Sequence, residues 1–122
     1  MKPLSSDIDE NIQRFLEEVT RSGRLWGLEG PEGWAVCPSE LDGALDVMPF
    51  WSQEEFARLH CVEDWAVYTP VAIVLDEFID DWLPGMDEDK LLVGVNWNAE
   101  FEGDETEPLD LLDELEAQLD VT

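Results

Sequence analysis

The sequence predicts a single α+β domain over residues 1–122, a mixed, mostly antiparallel sheet of about five strands with three to four helices packed on it. Three observations carry that expectation. The length of 122 residues falls within the size of one domain, and no internal repeat or linker-like segment divides it. Hydrophobic residues make up 44% of the chain, with 6 Trp and 5 Phe, enough apolar surface to offset the entropy lost on ordering a backbone. Helical apolar spacing at both ends gives way between them to short β-branched and aromatic runs.

The first element is a helix over about residues 7–22, in which Ile8, Ile12, Phe15, Leu16 and Val19 share one face. Ser6 is placed to cap it, and Gly23 to stop it in the left-handed region, with Arg21 and Arg24 near the negative end of its dipole. Residues 24–28 and 33–37 flank Glu29-Gly30-Pro31-Glu32 and read as a β-hairpin. Residues 45–51 form a third strand, short or at a sheet edge because Pro49 has no N–H for a ladder. Ser52 and Glu55 have capping-box spacing for a helix to about Cys61, with Phe56, Leu59 and Cys61 as its apolar positions. The unbroken run Val71-Ala72-Ile73-Val74-Leu75 predicts a strand buried on both faces. Asp76 then caps a short helix over residues 77–83 with Phe78, Ile79 and Trp82 inward, ended by Pro84-Gly85. Residues 91–97 give another central strand. Glu107-Pro108 opens a last helix over about residues 108–120, with Leu109, Leu112, Leu115 and Leu119 as its stripe.

Charge restricts function more than fold. Six bases stand against 31 acids, a net −25. Lys2, Arg14, Arg21 and Arg24 nearly balance the acids of residues 1–24; beyond them only Arg58 and Lys90 are basic. Pairing cannot neutralise such a body, so burial must hold the fold. Direct nucleic-acid binding is excluded because its affinity comes largely from Lys and Arg displacing phosphate counterions, and attraction to an anionic membrane fails likewise. No apolar run reaches the roughly 18–20 residues of a membrane helix, and Met1-Lys2-Pro3 leads into no signal-peptide core. Cys37 and Cys61 read as core thiols of a cytoplasmic protein. Crowded carboxylates are expected to have raised pKa values.

No catalytic set emerges. His60 and Cys61 are neighbours, so on a helix they point about 100° apart, and a Cys37–His60 pair lacks the positive surroundings that lower a thiol pKa. Two packed thiols and a partly exposed imidazole are the expectation. One His and two scattered Cys make no zinc site, and the carboxylates of Asp80-Asp81, Asp87-Glu88-Asp89 and residues 100–107 lack EF-hand spacing. Gly27, Gly30 and Gly33 fall in a hairpin beside Glu29, Pro31 and Glu32 with no following Lys, which rules out a phosphate loop. No cofactor and no metal are expected.

The tryptophans divide into two groups. Trp26, Trp34 and Trp65 read as core or hairpin fillers, whereas Trp51, Trp82 and Trp97 sit where elements end. Large rings plug sheet ends, but element ends also carry binding residues, and Trp is enriched at binding hot spots. Trp51, Trp82, Asn96, Trp97 and Asn98 are therefore the candidate ligand- or partner-binding residues.

Three blocks carry a family resemblance: Asp46-Val47-Met48-Pro49-Phe50-Trp51-Ser52; Leu75-Asp76-Glu77-Phe78 with Trp82-Leu83-Pro84-Gly85-Met86; and Val93-Gly94-Val95-Asn96-Trp97. Together they resemble the bacterial family known as domain of unknown function 2750, from about Phe15 to Leu115. The resemblance implies no activity, substrate or catalytic residue. The strand-Phe-Trp-Ser-helix organisation is also similar to the N-terminal domain of enhanced-serine-sensitivity proteins, as an analogy of arrangement.

The leading functional expectation is a non-enzymatic module whose acidic face binds a basic protein. The alternative is a small-ligand domain, or a carboxylate- or divalent-cation-dependent enzyme, with its site near Trp97. A solubilising or salt-adapted surface is the plain reading of the same charge. Oligomeric state is not legible.

Overall fold

The computed structural model describes residues 4–41 and 43–121; Met1–Pro3, read above as lacking a signal-peptide core, lie outside them. The elements are α1 (Ile8–Ser22), β1 (Arg24–Gly30), β2 (Gly33–Trp34), β3 (Cys37–Pro38), β4 (Asp46–Phe50), α2 (Glu54–Arg58), a 3-10 turn (Glu63–Trp65), β5 (Thr69–Val74), α3 (residues 75–88), β6 (Leu92–Val95), β7 (Asp104–Thr106) and α4 (Pro108–Val121). The α+β class and the mixed, mostly antiparallel pairing are present. The strands are shared between two sheets, β2-β1-β5 and β3-β4-β6-β7, in which only β4 and β6 run parallel.

The two sheets meet at one residue pair. Trp26 of β1 and Trp51, just past β4, exchange both backbone N–H···O bonds at 2.8 Å. This explains how Pro49 is tolerated in a strand that is not at an edge. One side of β4 pairs with β6 along Val47–Phe50, while the other pairs with β3 at Asp46–Val47 and with Trp26 at Trp51. Pro49 occupies the gap between those last two partners, where no N–H is required. The second hairpin arm is divided in the same way: Glu29 and Gly30 pair with Trp34 and Gly33, and Cys37 then leaves to pair with Val47.

Strand alternation sends side chains to two cores. Phe50, Val93 and Val95 join Phe15, Leu16, Val19, Phe78, Leu83, Leu111 and Leu115 under α1, α3 and α4. Val47, Trp51, Leu92 and Trp97 join Leu28, Phe56 and Ala57 on the α2 side.

Several local expectations are corrected. Asp7, not Ser6, caps α1, accepting from the Glu10 N–H at 3.2 Å, while Gly23 stops it at φ 78° as expected. Ser52 makes no capping box; Gln53 precedes α2, which ends at Arg58 and leaves Leu59 57% exposed. The run at β5 is not buried on both faces: Ile73 is buried while the alternate residues Ala72 and Val74 are exposed, Val74 at 57%, and the strand lies at an edge of its sheet. Asp76 does not cap α3, which starts after Val74, and Pro84 does not end it. The helix widens to a π turn over Phe78–Trp82, with the Leu83 N–H reaching the Phe78 carbonyl, and the wider turn takes in the proline ring without breaking the element. In α4 the buried stripe is Pro108, Leu111 and Leu115, leaving Leu109 and Leu119 exposed, because α4 packs against both α1 and the end of α3. β3 and the acidic β7 carry no hydrophobic pattern and were not expected.

Candidate functional site

Four of the five candidate residues converge, at the shared end of β4 and β6. Asn96 turns the chain with φ 45°, and its amide is fully engaged: Oδ1 accepts from the Ser52 N–H at 2.9 Å, and Nδ2 donates to the Asn11 carbonyl and to Ser52 Oγ, both at 3.1 Å. Ser52 Oγ in turn donates to Glu18 at 2.6 Å. Burial acts to raise the Glu18 carboxyl, but hydrogen bonds from Ser52, Gln53 and Arg14, with the Arg14 charge, outweigh it and hold the group below the ordinary glutamate value. Asn98 donates to the Ser5 carbonyl at 3.1 Å and accepts from the Glu100 and Glu102 N–H groups. The Trp51 indole donates to the Trp97 carbonyl at 2.9 Å, and the Trp97 indole to the Asp104 carbonyl at 3.0 Å.

His60 completes this knot and is not the partly exposed group expected. It is 1% exposed, its ring 4.8 Å from that of Trp51 and 4.6 Å from that of Phe101, with Nε2 3.1 Å from the Trp97 carbonyl. A carbonyl acceptor places the proton on Nε2 and leaves Nδ1 buried with no partner among the described residues. Burial lowers the His60 pKa, partly opposed by the Trp97 carbonyl. With Trp51 and Asn96 at 0%, Trp97 at 5% and Asn98 at 8% exposure, the knot spends its polar atoms on joining α1, β4, β6 and the 97–103 loop.

The cysteines add no nucleophile. Both are free and half-buried rather than core; burial raises each thiol pKa, reinforced at Cys37 by Glu105, Asp46 and Glu40 and opposed at Cys61 by Arg58. Among the described residues no cluster of His, Cys, Asp or Glu is arranged to hold a metal ion, and no helix is long and apolar enough to cross a membrane.

Trp82, the fifth candidate, lies elsewhere, on the π turn of α3. Its ring stands perpendicular to Trp34 with centroids 4.8 Å apart and contacts Phe50 at 5.8 Å. Trp34, Met48, Trp82 and Leu91 line an open apolar hollow of about 360 Å³ with Asp81 and Asp89 on its rim. Trp34 also walls a second hollow of about 490 Å³ with Val36, Val67, Tyr68 and Glu32. Two glycines of β1 shape this surface: a Cβ on Gly27 would lie 2.9 Å from the Trp34 ring, and one on Gly30 would lie 2.8 Å from the Tyr68 ring. Trp34, expected as a core or hairpin filler, instead walls both hollows. The signal lies in the two glycines three apart in β1, whose missing side chains leave room for Trp34 from the facing hairpin arm and for Tyr68 from the segment before β5.

The model of the family described as "Protein of unknown function (DUF2750)" matches residues 12–115. The chain belongs to the DUF2750 family. The matched span contains all seven strands described above, the Trp34–Trp82 hollow and the Asn96 knot except its Ser5 and Asn11 partners. Neither a curated protein nor a solved structure matches the chain.

Proposed function

We propose that this DUF2750 protein is a non-enzymatic interaction module that binds a basic protein through the outer faces of α3 and α4. The observation that supports this reading is the run of exposed carboxylates on two helices that pack together. Asp76, Glu77, Asp80, Asp81, Asp87 and Glu88 lie on α3, and Asp110, Asp113, Glu114, Glu116 and Asp120 on α4. Arg14–Glu18 and Arg58–Glu54 ion pairs lie instead on α1 and α2. Like charges four apart, such as Asp76 and Asp80 or Asp110 and Glu114, each cost a helix about 0.2–0.5 kcal/mol. A cationic partner relieves that repulsion, speeds association and sharpens partner choice. The alternative, a ligand site or carboxylate enzyme beside Trp97, has less support because Asn96 and Asn98 have no free amide group to offer.

The test is a pull-down at low and raised salt, comparing the wild type with a variant whose α4 carboxylates Asp110, Asp113, Glu116 and Asp120 are amidated to Asn or Gln. Retention of a basic protein by the wild type at low salt, lost in the variant and at raised salt, is the expected result. Equal retention by both proteins, or none at low salt, defeats the reading.

A further inference from the structure

Resting on that reading, we propose that the hollow between Trp34 and Trp82 is where the basic partner is gripped, and that it takes an apolar side chain flanked by Lys or Arg. The floor is apolar and aromatic: Trp34, Met48, Trp82 and Leu91. The rim is anionic, with Asp81 and Asp89 at the Trp82 side and Glu32 beyond Trp34. An apolar floor within a carboxylate rim is the complement of a hydrophobic anchor between two cations. Lys90, the one base nearby among the described residues, lines a neighbouring hollow with Asp87 and Glu107, where acids outnumber it.

The indole nitrogens point the same way. Trp51 and Trp97 spend theirs on buried carbonyls of the fold. Those of Trp34 and Trp82 donate to no described residue, so each half-buried ring keeps a donor for a partner's backbone carbonyl. Tryptophan with an apolar face packed and a polar edge unspent has the character of a binding hot spot. The like-charged rim also argues against a second copy as occupant, because self-association would bring Asp81 and Asp89 toward their own equivalents.

Two synthetic peptides of equal length and charge test this: one of alternating Lys and Ser, and one with two central Ser residues replaced by Leu. Titration at low ionic strength is followed by the indole N–H resonances of the wild-type protein. The Leu peptide is expected to bind about tenfold tighter, the scale of burying one such side chain. It should move the Trp34 and Trp82 resonances while leaving those of Trp51 and Trp97 in place. Asp81→Lys with Asp89→Lys should abolish the Leu preference, whereas Glu10→Lys with Glu17→Lys, the same charge change on exposed positions of α1, should preserve it. Equal affinity for the two peptides, or shifts that spare Trp34 and Trp82, overturn the groove while the acidic face stands. Binding of neither peptide overturns both. The wild-type resonances decide the matter even where a rim variant fails to fold.

Discussion

Replacing Asn96 with alanine probes the knot that joins α1 to both sheets. The amide satisfies the buried Ser52 N–H and bonds the Asn11 carbonyl and Ser52 Oγ, in a residue held at φ 45°. Stranding a buried donor costs about 1–3 kcal/mol, and losing the bond to an Asn11 carbonyl that α1 also uses costs about 0.5–1.5 more. Holding alanine in the left-handed region adds about 1–2 kcal/mol. The sum is roughly 3–6 kcal/mol, a large share of the about 5–15 kcal/mol by which domains are stable. Asn96→Gly loses the same bonds without the backbone strain, so it should recover roughly 0.5–1 kcal/mol once glycine's greater freedom in the unfolded chain is counted. Urea unfolding followed by tryptophan fluorescence gives both values from the midpoint at unchanged slope. A loss below about 1 kcal/mol for Asn96→Ala, or a glycine variant no better than alanine, would refute the assignment of this amide as a structural tie.

Three further outcomes follow from particular contacts. A Cβ on Gly94 would stand 2.7 Å from the Trp97 ring, so Gly94→Ala should cost about 1–3 kcal/mol by overpacking; adding Trp97→Phe to that variant should destabilise it less than Trp97→Phe does the wild type, and simple additivity in denaturation experiments would contradict the contact. His60 is lowered by burial, so as pH falls below about 6.5 the unfolded chain takes up a proton that the folded one refuses, and stability declines; His60→Gln should remove that decline from a melting-temperature profile between neutral pH and about pH 5. Asp104 and Glu114 act oppositely: burial raises both, reinforced at Asp104 by Asp9 and Glu105 and at Glu114 by Asp104 and Asp110, so the folded state binds protons first and stability rises as pH falls through their raised values. Asp104→Asn with Glu114→Gln should raise the melting temperature at neutral pH and flatten that rise; an unchanged profile would show that the two carboxylates are solvated and uncoupled.

Hydropathy and charge along the chain are enough to determine the α+β class, the helix over Ile8–Ser22 with its glycine stop, the hairpin turn, the central strand at Leu92–Val95 and the polarised acidity. Each is a local property: apolar spacing selects helix or strand, Gly and Pro punctuate, and 31 carboxylates cannot be paired by six bases whatever the fold. The family resemblance was legible on the same terms, in three short blocks that the match over residues 12–115 contains.

What the tertiary structure decided is which neighbour each segment met. Val71 to Leu75 has the pattern of a strand buried on both faces, yet β5 ends at Val74 and only its Ile73 face is buried, Ala72 and Val74 staying exposed on the other. The α4 stripe kept Leu115 but exchanged Leu109 and Leu119 for Pro108 and Leu111 because α1 and α3 together set the face it buries. Ser52 had the spacing of a helix cap, but Asn96, 44 positions away, claimed its N–H. Trp51, Trp82 and Trp97 looked alike as element-end aromatics; long-range contacts made two of them buried ties and left Trp82 on an open surface beside Trp34. Local sequence determines propensity and charge. Packing between residues distant in the chain determines which polar atoms are consumed within the fold and which remain for a partner.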